Sequence, residues 1–357
     1  MTISQRRSLA AVGVPLMVAV LALSACSRLG GDSSTDVSAA DQGPAAELRL
    51  GYFPNVTHAG ALIAADKGFL TRELGATKLT TQTFNAGPDE VSALLGGSLD
   101  AAFIGTGPAI NAFSKSDGAA VRLVAGATSG GVQLVVRPDI RSKQDLAGKT
   151  IADPQLGNTQ DVSLKTYLSR NNLAGKVTVD NVSNSEVLGQ FQKNTVQGGW
   201  LPEPYASELV LTGGAHELVD ESSLWPDGEF PSTVLVVRTQ FLEQHPQTVR
   251  ALVKAELDAI DYEETNQGGA EAAVNDQLKQ LTGKPLPRPV LDRAFSKIKL
   301  TVDPLTSDFP ELVKDQVIAG IAKTAPGLTG FADLTQLNTV LKAAGKPAIS
   351  AGSLGGN

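Results

Sequence analysis

The chain has 357 residues, of which 42% are hydrophobic and 19% charged, which is enough for one large or two medium-sized domains. Its 37 acidic residues outnumber its 30 basic residues and give a formal net charge of −7. A chain without a basic excess lacks the electrostatic surface that nucleic acids require, so no nucleic-acid partner is expected. Glycine (36) and proline (19) are frequent but not periodic, which excludes a fibre and favours a globular α/β protein.

The first 25 residues are predicted to be an export signal. An arginine pair at positions 6–7 precedes a mostly apolar run over 8–23, which is shorter than the roughly 20 apolar residues of a spanning helix. The motif Leu23-Ser24-Ala25-Cys26 resembles the bacterial lipobox, whose cysteine is acylated and becomes the first residue of the mature protein. Cys26 is the only cysteine, which excludes internal disulfides and zinc sites built from several cysteines. The arginine pair leaves both the general and the twin-arginine export route open.

Residues 26–46 are mostly Gly, Ser, Asp and Ala and have little to bury. We predict a flexible tether here, which would span roughly 25 Å as a coil of about 20 residues. The folded part is expected to begin at Glu47. Everything beyond Cys26 is expected to lie outside the cytoplasmic membrane, anchored to it by lipid.

From residue 47 onward, short apolar strands alternate with amphipathic helices. Pro88, followed by two acidic residues, stands where the first residue of a helix is expected. The pattern predicts strands at 48–52, 79–84, 101–104, 121–125, 133–136, 150–152, 177–182 and 233–237, and helices that begin near 59, 88, 108, 158, 184 and 248. Such alternation favours parallel sheets covered by helices on both faces.

Motifs for catalysis are missing from the sequence. Lys143 stands where a phosphate-binding loop ending at 148–150 needs its first glycine, and the glycines at 105 and 107 lack the third member of a dinucleotide fingerprint. Neither a nucleophile elbow nor a zinc-protease His pair occurs, and the three histidines are scattered. We therefore expect no enzyme, no cofactor and no metal site.

Small polar residues recur where a strand ends and a helix begins. They form four corners: Asn55-Val56-Thr57-His58, Gly87, Thr106-Gly107 and Gly157-Asn158-Thr159-Gln160. Ligands of open α/β sheets bind at the carboxyl ends of strands, where helix N-termini offer free N–H groups and partial positive charge. Helix capping explains any one corner as well. Several together favour a small anion or zwitterion held by amides and hydroxyls.

Five segments together resemble the substrate-binding lipoproteins of ABC importers, and among them the group that binds nitrate, aliphatic sulfonates and taurine. They are LRLGYFPNVTHA (48–59), LGGSLDAAFIG (95–105), DLAGKTIA (145–152), GNTQD (157–161) and WLPEPYA (200–206). The resemblance covers residues 47 to 260. Beyond residue 270 only length and helical character match.

The resemblance implies an α/β fold of the two-lobed type II periplasmic-binding-protein class, in which each lobe is a β-sheet flanked by helices. Lobe one would comprise 47–131 and 232–350, and lobe two 132–231, with crossings near 130–132 and 231–233. The implied function is a monomeric extracytoplasmic receptor. It would capture a small organosulfonate (an alkanesulfonate or taurine) and deliver it to an ABC permease.

The resemblance also implies which residues meet the ligand. They are Asn55, Thr57, His58, Gly87, Thr106 and Gly107 from lobe one, Gly157, Asn158, Thr159 and Gln160 from lobe two, and Trp200 and Glu203 near the hinge. Trp200 either stacks on the ligand or fills the core. Glu203 either supports the hinge or meets an amine, as in taurine.

Two alternatives stay open at this point. One is a receptor for nitrate, bicarbonate or a thiamine-precursor pyrimidine. The other, from a different class, is an enzyme of the thiamine-pyrimidine synthase type. Such enzymes use a cysteine-rich iron motif, and the single Cys26 argues against that reading.

Overall fold

The computed structural model describes residues 41–356. The export signal over 1–25, Cys26 and residues 27–40 of the expected tether lie outside this range. The described strands are β1 (Glu47–Tyr52), β2 (Lys78–Thr83), β3 (Ala101–Gly105), β4 (Val121–Gly130), β5 (Val132–Val136), β6 (Thr150–Asp153), β7 (Thr178–Asn181), β8 (Gly198–Pro202), β9 (His216–Asp220), β10 (Pro231–Arg238) and β11 (Ile298–Leu300). The α-helices are α1 (Ala59–Asp66), α2 (Phe69–Leu74), α3 (Gly87–Leu95), α4 (Thr106–Lys115), α5 (Thr159–Arg170), α6 (Asn184–Gln192), α7 (Tyr205–Leu211), α8 (Thr239–Gln244), α9 (Pro246–Thr265), α10 (Gln267–Thr282), α11 (Arg288–Phe295), α12 (Phe309–Ile318) and α13 (Thr335–Ala343).

Six strands form the first sheet, in the order β11-β4-β10-β3-β1-β2. Strand β1 pairs in parallel with β2 and β3, whereas β10 runs antiparallel to both β3 and β4, and β11 runs antiparallel to β4. The strands are almost wholly buried at the centre, where β3 and β10 carry continuous apolar runs. This sheet with its helices is the first lobe.

Five strands form the second sheet, in the order β7-β6-β8-β5-β9. Strand β6 is parallel to β7 and β8, and β5 is antiparallel to β8 and β9. Both sheets are therefore mixed, and the expectation of parallel sheets was wrong. The reason is that the chain passes from one lobe to the other and returns. In the first sheet, β10 brings the chain back from the second lobe and therefore runs antiparallel to its neighbours β3 and β4.

The chain leaves the first sheet through two glycines. Gly130 and Gly131 have φ of +78° and +73°, a backbone conformation that other residues adopt only with strain. At Gly131 a Cβ would lie 2.5 Å from the Ile298 side chain, so there is no space for one. The chain returns between Asp220 and Pro231. These two crossings connect the lobes.

Helices of the C-terminal third pack against both lobes. Helix α9 packs against α1, α2 and α13 on the first sheet, while α11 packs on α7 and α12 on α5 of the second lobe. None of the helices within 41–356 combines the length and hydropathy that a bilayer span requires.

The end of the expected tether is part of the folded body. Ala45 is buried and its N–H donates to Thr248 Oγ1 at 2.8 Å, and Gln42 N–H donates to the Gln244 carbonyl at 2.8 Å. A flexible tether that continues to residue 46 is thus wrong for its last residues, because backbone groups there are satisfied by α8 and α9.

Candidate functional site

A small cavity of about 20 Å³ lies where the two lobes meet. A volume of this size holds little more than one water-sized group. Its lining comes from both lobes and contains no Lys, Arg, Asp or Glu side chain. The lining residues are Phe53, Asn55, Thr57, His58, Gly105, Asn158, Thr159, Gln160, Asn184, Pro202, Ser232 and Thr233.

Half of the twelve expected ligand residues line this cavity. They are Asn55, Thr57, His58, Asn158, Thr159 and Gln160. Gly87, Thr106, Gly107 and Gly157 lie immediately behind them and contact them directly or through the chain. The four corners recognised in the sequence are therefore brought together at one point.

Direct hydrogen bonds join the lobes around the cavity. Gly107 N–H donates to Thr159 Oγ1 at 3.2 Å, and Gly87 N–H donates to Asn158 Oδ1 at 3.3 Å. Asn111 Nδ2 donates to the Gly157 carbonyl at 3.4 Å. Each bond pairs a group of the first lobe with one of the second, so the lobes are closed on each other here.

Asn158 does not cap its helix through its side chain, although its spacing to Asp161 suggested a cap. Its Oδ1 accepts from Gly87 across the lobe boundary, and its Nδ2 donates to Gln160 Oε1 at 3.1 Å. Asp161 Oδ2 instead accepts from Gly157 N–H at 2.8 Å. The Asn158 side chain thus does not cap the helix, and its oxygen bonds across the boundary to the first lobe.

Three helices begin at the cavity. Helix α4 starts directly after Gly105, α5 starts at Thr159 and α6 starts at Asn184. The first N–H groups of a helix have no partner within it and carry partial positive charge. Their convergence directs partial positive charge at a lining that contains no charged side chain, an arrangement that suits an anion.

His58 is the only ring nitrogen donor in the lining. The residue is buried, its ring stacks on Phe53 with centroids 4.4 Å apart, and its Nδ1 accepts from Phe53 N–H at 3.2 Å. Burial lowers the pKa of His58 to about 3, so the ring is neutral at physiological pH. Because Nδ1 is an acceptor, the neutral ring carries its proton on Nε2 and can donate it to an anion.

Two polar atoms, one in the cavity lining and one just behind it, lack partners among the described residues. Thr106 Oγ1, on a fully buried side chain at the start of α4, has no hydrogen-bond partner, and neither does Asn184 Oδ1. Buried polar groups are nearly always paired. Of the two, Asn184 Oδ1 belongs to a residue that lines the cavity, so a ligand there could reach it.

Trp200 does not line the cavity, so of its two expected roles the structure favours filling the core over stacking on the ligand. Its side chain is fully buried in the core, 5.3 Å from the Tyr167 ring between centroids, and its Nε1–H donates to Glu221 Oε2 at 2.7 Å. Burial raises the pKa of Glu221 to about 8. Trp200 therefore has a packing role, because both its ring and its N–H are engaged inside the protein.

Glu203 does not line the cavity either. Its Oε1 lies 3.0 Å from Arg293 Nη1 and accepts from Gln133 Nε2 at 3.2 Å, while Oε2 accepts from Ser207 N–H at 3.1 Å. Burial raises the pKa of Glu203, and Ser207 and Arg293 oppose this rise. The carboxylate is fully engaged, so the structure supports a role beside the hinge and not one toward a ligand amine.

Six lining residues were missed by the sequence reasoning: Phe53, Gly105, Asn184, Pro202, Ser232 and Thr233. Four of them lie at or just after the carboxyl end of a strand, so the rule that selected the four corners could have selected these too. Ser232 and Thr233 lie at the start of β10, and only the course of the second crossing brings them here.

A larger cavity of about 840 Å³ lies between α5, β9 and α12, away from the converging helix N-termini. Its acidic groups are largely paired, since Arg170 bonds both Glu311 and Asp315. Within residues 41–356 no group of three or more His, Cys, Asp or Glu side chains is arranged to hold a metal ion. The small cavity is therefore the candidate site, and its chemistry is recognition of an oxyanion by neutral donors.

Known proteins with a similar sequence include the taurine-binding periplasmic protein of Escherichia coli, 28% identical over 199 residues. That match covers 56% of this chain and 61% of the E. coli protein, so the chain spans about three fifths of that relative. A putative aliphatic sulfonates-binding protein of Bacillus subtilis is 25% identical over 319 residues and 88% of both chains.

The solved structure of the alkanesulfonate-binding protein of Xanthomonas axonopodis pv. citri bound to MOPS has a similar fold. The TM-score is 0.63 at 24% identity, over 77% of this chain and 92% of that one. This likeness confirms the expected two-lobed type II periplasmic-binding-protein fold. The sequence pattern of the NMT1-like family matches residues 41–275. Because that match covers well over half of the chain, the protein belongs to the NMT1-like family.

Proposed function

We propose that this protein is the solute-binding component of an ABC import system and captures a small organosulfonate between its lobes. The observation that carries the proposal is the convergence of three helix N-termini and several neutral donors on one cavity without charged side chains. A sulfonate has three oxygens that accept such bonds and one negative charge that helix N-termini stabilise. The sulfonate-binding and taurine-binding relatives support the same ligand class.

The site should prefer an alkanesulfonate to taurine. Taurine carries an ammonium group, and no carboxylate lines the cavity. The only carboxylate expected to meet an amine, Glu203, is bonded to Arg293. Desolvating an ammonium without a partner costs free energy, so we expect taurine to bind more weakly than ethanesulfonate.

A second candidate ligand is a smaller oxyanion such as nitrate or bicarbonate. The cavity volume of about 20 Å³ favours it, because a bulkier head requires the lobes to settle slightly further apart. Closure of the lobes over the ligand is consistent with a sulfonate and with a smaller oxyanion. In the described part of the chain the two sheets are connected covalently only by the crossings at Gly131 and between residues 220 and 231.

The membrane anchor, the location and the partners of the protein are part of the same proposal. We propose acylation of Cys26, an extracytoplasmic location on the cell membrane, a monomeric receptor and an ABC permease as partner. The lipobox-like motif at 23–26 supports the anchor. The fold and the absence of a catalytic constellation in the cavity lining support binding and not catalysis.

Calorimetric titration with ethanesulfonate, taurine, nitrate, bicarbonate and a hydroxymethylpyrimidine tests the ligand class, and Thr159→Ala tests the site. The Thr159 hydroxyl lines the cavity and can donate to the anion while accepting from Gly107. Such a bond to a charged acceptor contributes roughly 1.5–3 kcal/mol, so we expect Kd to rise about tenfold to a hundredfold.

Thr166→Ala is the matched control, because Thr166 is equally buried on the same helix, about 10 Å further along, and does not line the cavity. It should lower stability by a similar small amount and leave Kd unchanged. If Thr159→Ala left Kd unchanged as well, this corner would not belong to the site. If none of the anions bound while the pyrimidine did, the ligand class would be wrong.

A further inference from the structure

Two buried aspartates stand at the base of the turn that carries the second lobe's ligand residues. Asp153 ends β6 and Asp161 lies in the first turn of α5, and both are fully buried. The seven residues between them, 154–160, form the turn that brings Asn158, Thr159 and Gln160 to the cavity. The two carboxyl groups lie within hydrogen-bonding reach of each other.

The two carboxyls differ in their other partners. Asp161 Oδ1 lies 2.6 Å from Lys165 Nζ, an ion pair without hydrogen-bond geometry, and its Oδ2 accepts from Gly157 N–H at 2.8 Å. Asp153 receives a hydrogen bond from Asn181 on Oδ1, while its Oδ2 has no donor among the described residues. A proton on Asp153 Oδ2, directed at Asp161, would satisfy that orphaned atom.

We propose that Asp153 and Asp161 share one proton and that this carboxyl pair holds the 154–160 turn in the position that ligand capture needs. The inference rests on the proposed function for its ligand, and it adds a pair of positioning residues behind the site. The shared proton closes the turn at its base, and the Asp161–Gly157 bond fixes the glycine whose φ of +79° directs the turn into the cavity.

Loss of the shared proton would damage the site in two ways. Two carboxylates in contact repel each other, which opens the base of the turn. The second negative charge would also lie close behind the start of α5 and oppose an anion there. Within the described residues, the charged groups that act on Asp153 are Asp161 and Lys165, with Asn181 as the polar neighbour from β7.

The pH range follows from the surroundings of the pair. Burial, and then the charge of Asp161, raise the pKa of Asp153 to about 8. If capture requires the protonated pair, the association constant is proportional to the fraction of the protein in which the pair keeps its proton. We therefore expect Kd for ethanesulfonate to rise about tenfold between pH 7 and pH 9 in the unmodified protein.

Asp153→Asn tests this directly, because an amide donates to Asp161 at every pH. Its Kd for ethanesulfonate should stay within about twofold of the unmodified protein at pH 7 and should not rise at pH 9. Asp180→Asn is the control, since it removes one exposed negative charge from the neighbouring strand β7 and should keep the alkaline loss. An equal alkaline loss in Asp153→Asn and the unmodified protein would overturn the proposal.

A second measurement does not depend on a ligand or on a variant. Carboxyl ¹³C NMR of the unmodified protein should show the Asp153 resonance, assigned through bonds, titrating near pH 8. Titration of Asp153 below pH 5 would overturn the proposal as well. If no sulfonate binds but Asp153 titrates near pH 8, the proposed ligand fails and the carboxyl pair stands.

Discussion

Removal of Arg293 should destabilise the protein more than any other single change near the crossings. Its guanidinium donates to Glu203 Oε1 at 3.0 Å, Ser207 Oγ at 2.8 Å, Gln133 Oε1 at 2.7 Å and Glu217 Oε2 at 3.2 Å. These bonds attach α11 to three segments of the second lobe. In Arg293→Met the apolar stem is kept and the charge is lost.

The expected cost follows from what is left behind. Breaking a buried ion pair by removing one partner typically costs 3–5 kcal/mol, because the other charge stays buried. Glu203 keeps two donors, Gln133 Nε2 and Ser207 N–H, so we expect the lower end, about 3 kcal/mol. The combination of Arg293→Met with Glu203→Gln should cost clearly less than the sum of the single changes, because the amide needs no counter-charge.

The stability lost in Arg293→Met should also depend on pH. Without Arg293 the pKa of Glu203 rises further, since burial is then less opposed. Between the unfolded pKa and the raised folded pKa, the unfolded state binds fewer protons, so the free energy of unfolding falls as pH rises. The cost of Arg293→Met should therefore be small near pH 4 and largest above neutrality.

Urea unfolding at pH 4.5 and pH 8 measures both effects, and titration with taurine and ethanesulfonate is run on the same samples. Glu203→Gln should leave both Kd values within about twofold of the unmodified protein. A loss below about 1 kcal/mol at pH 8 in Arg293→Met would refute the ion-pair reasoning. A Glu203→Gln variant that loses taurine but keeps ethanesulfonate would show that this carboxylate meets the ligand's amine.

Three further outcomes are expected. Glu256 is fully buried, neither of its oxygens has a partner among the described residues, and burial raises its pKa to about 8. The free energy of unfolding should therefore fall by a few kcal/mol from pH 5 to pH 8, at about 1.4 kcal/mol per pKa unit. In thermal unfolding scans, Glu256→Gln should flatten this fall. Gly87→Ala would place a Cβ 2.2 Å from Pro108 Cγ within the first lobe and 3.1 Å from Asn158 Oδ1 of the second lobe. The start of α3 must shift to relieve these contacts, which should disturb the Gly87–Asn158 bond between the lobes and raise Kd for ethanesulfonate at least tenfold in calorimetry, whereas an unchanged Kd would mean that this contact is not needed for capture. Cys26→Ala should abolish acylation in mass spectra of the membrane fraction and leave Kd unchanged, and a lipid still present on the variant would contradict the proposed anchor.

The sequence was sufficient for those elements whose hydrophobic pattern is local. Strands β1 and β3 begin and end close to the expected residues, and helices α3 and α5 begin close to them, because apolar runs, Pro88 and the small turn residues mark these limits. Strands β8, β9 and the three-residue strand β11 were missed. Strand β8 opens with Gly198-Gly199, which have low strand propensity, and β9 is only half-buried, so neither shows the usual pattern.

Strand direction could not be read from the alternation of elements. It depends on where the chain changes lobes, and only the pairing of β10 between β3 and β4 reveals that. In the site, too, some residues were predicted from local sequence and others depend on distant partners. The corners at Asn55–His58 and Asn158–Gln160 follow from a local rule about strand ends, which is independent of distant partners.

Trp200 and Glu203 could not be placed by that rule, because residues far along the chain decide their roles. Arg293, 90 residues after Glu203, takes up its carboxylate, and Glu221 takes up the indole N–H of Trp200. Neither partner belongs to a recognisable sequence motif. The spacing of residues along the sequence therefore did not predict which buried polar groups pair over long distances.

A crystal structure of the protein with ethanesulfonate tests the central claim most directly. We predict the sulfonate group in the small cavity, with oxygens within hydrogen-bonding distance of His58 Nε2 and the Thr159 N–H and with no Lys or Arg side chain in contact. A sulfonate bound in the 840 Å³ cavity beside Arg170, or paired with any other cationic side chain, would contradict recognition by neutral donors between the lobes.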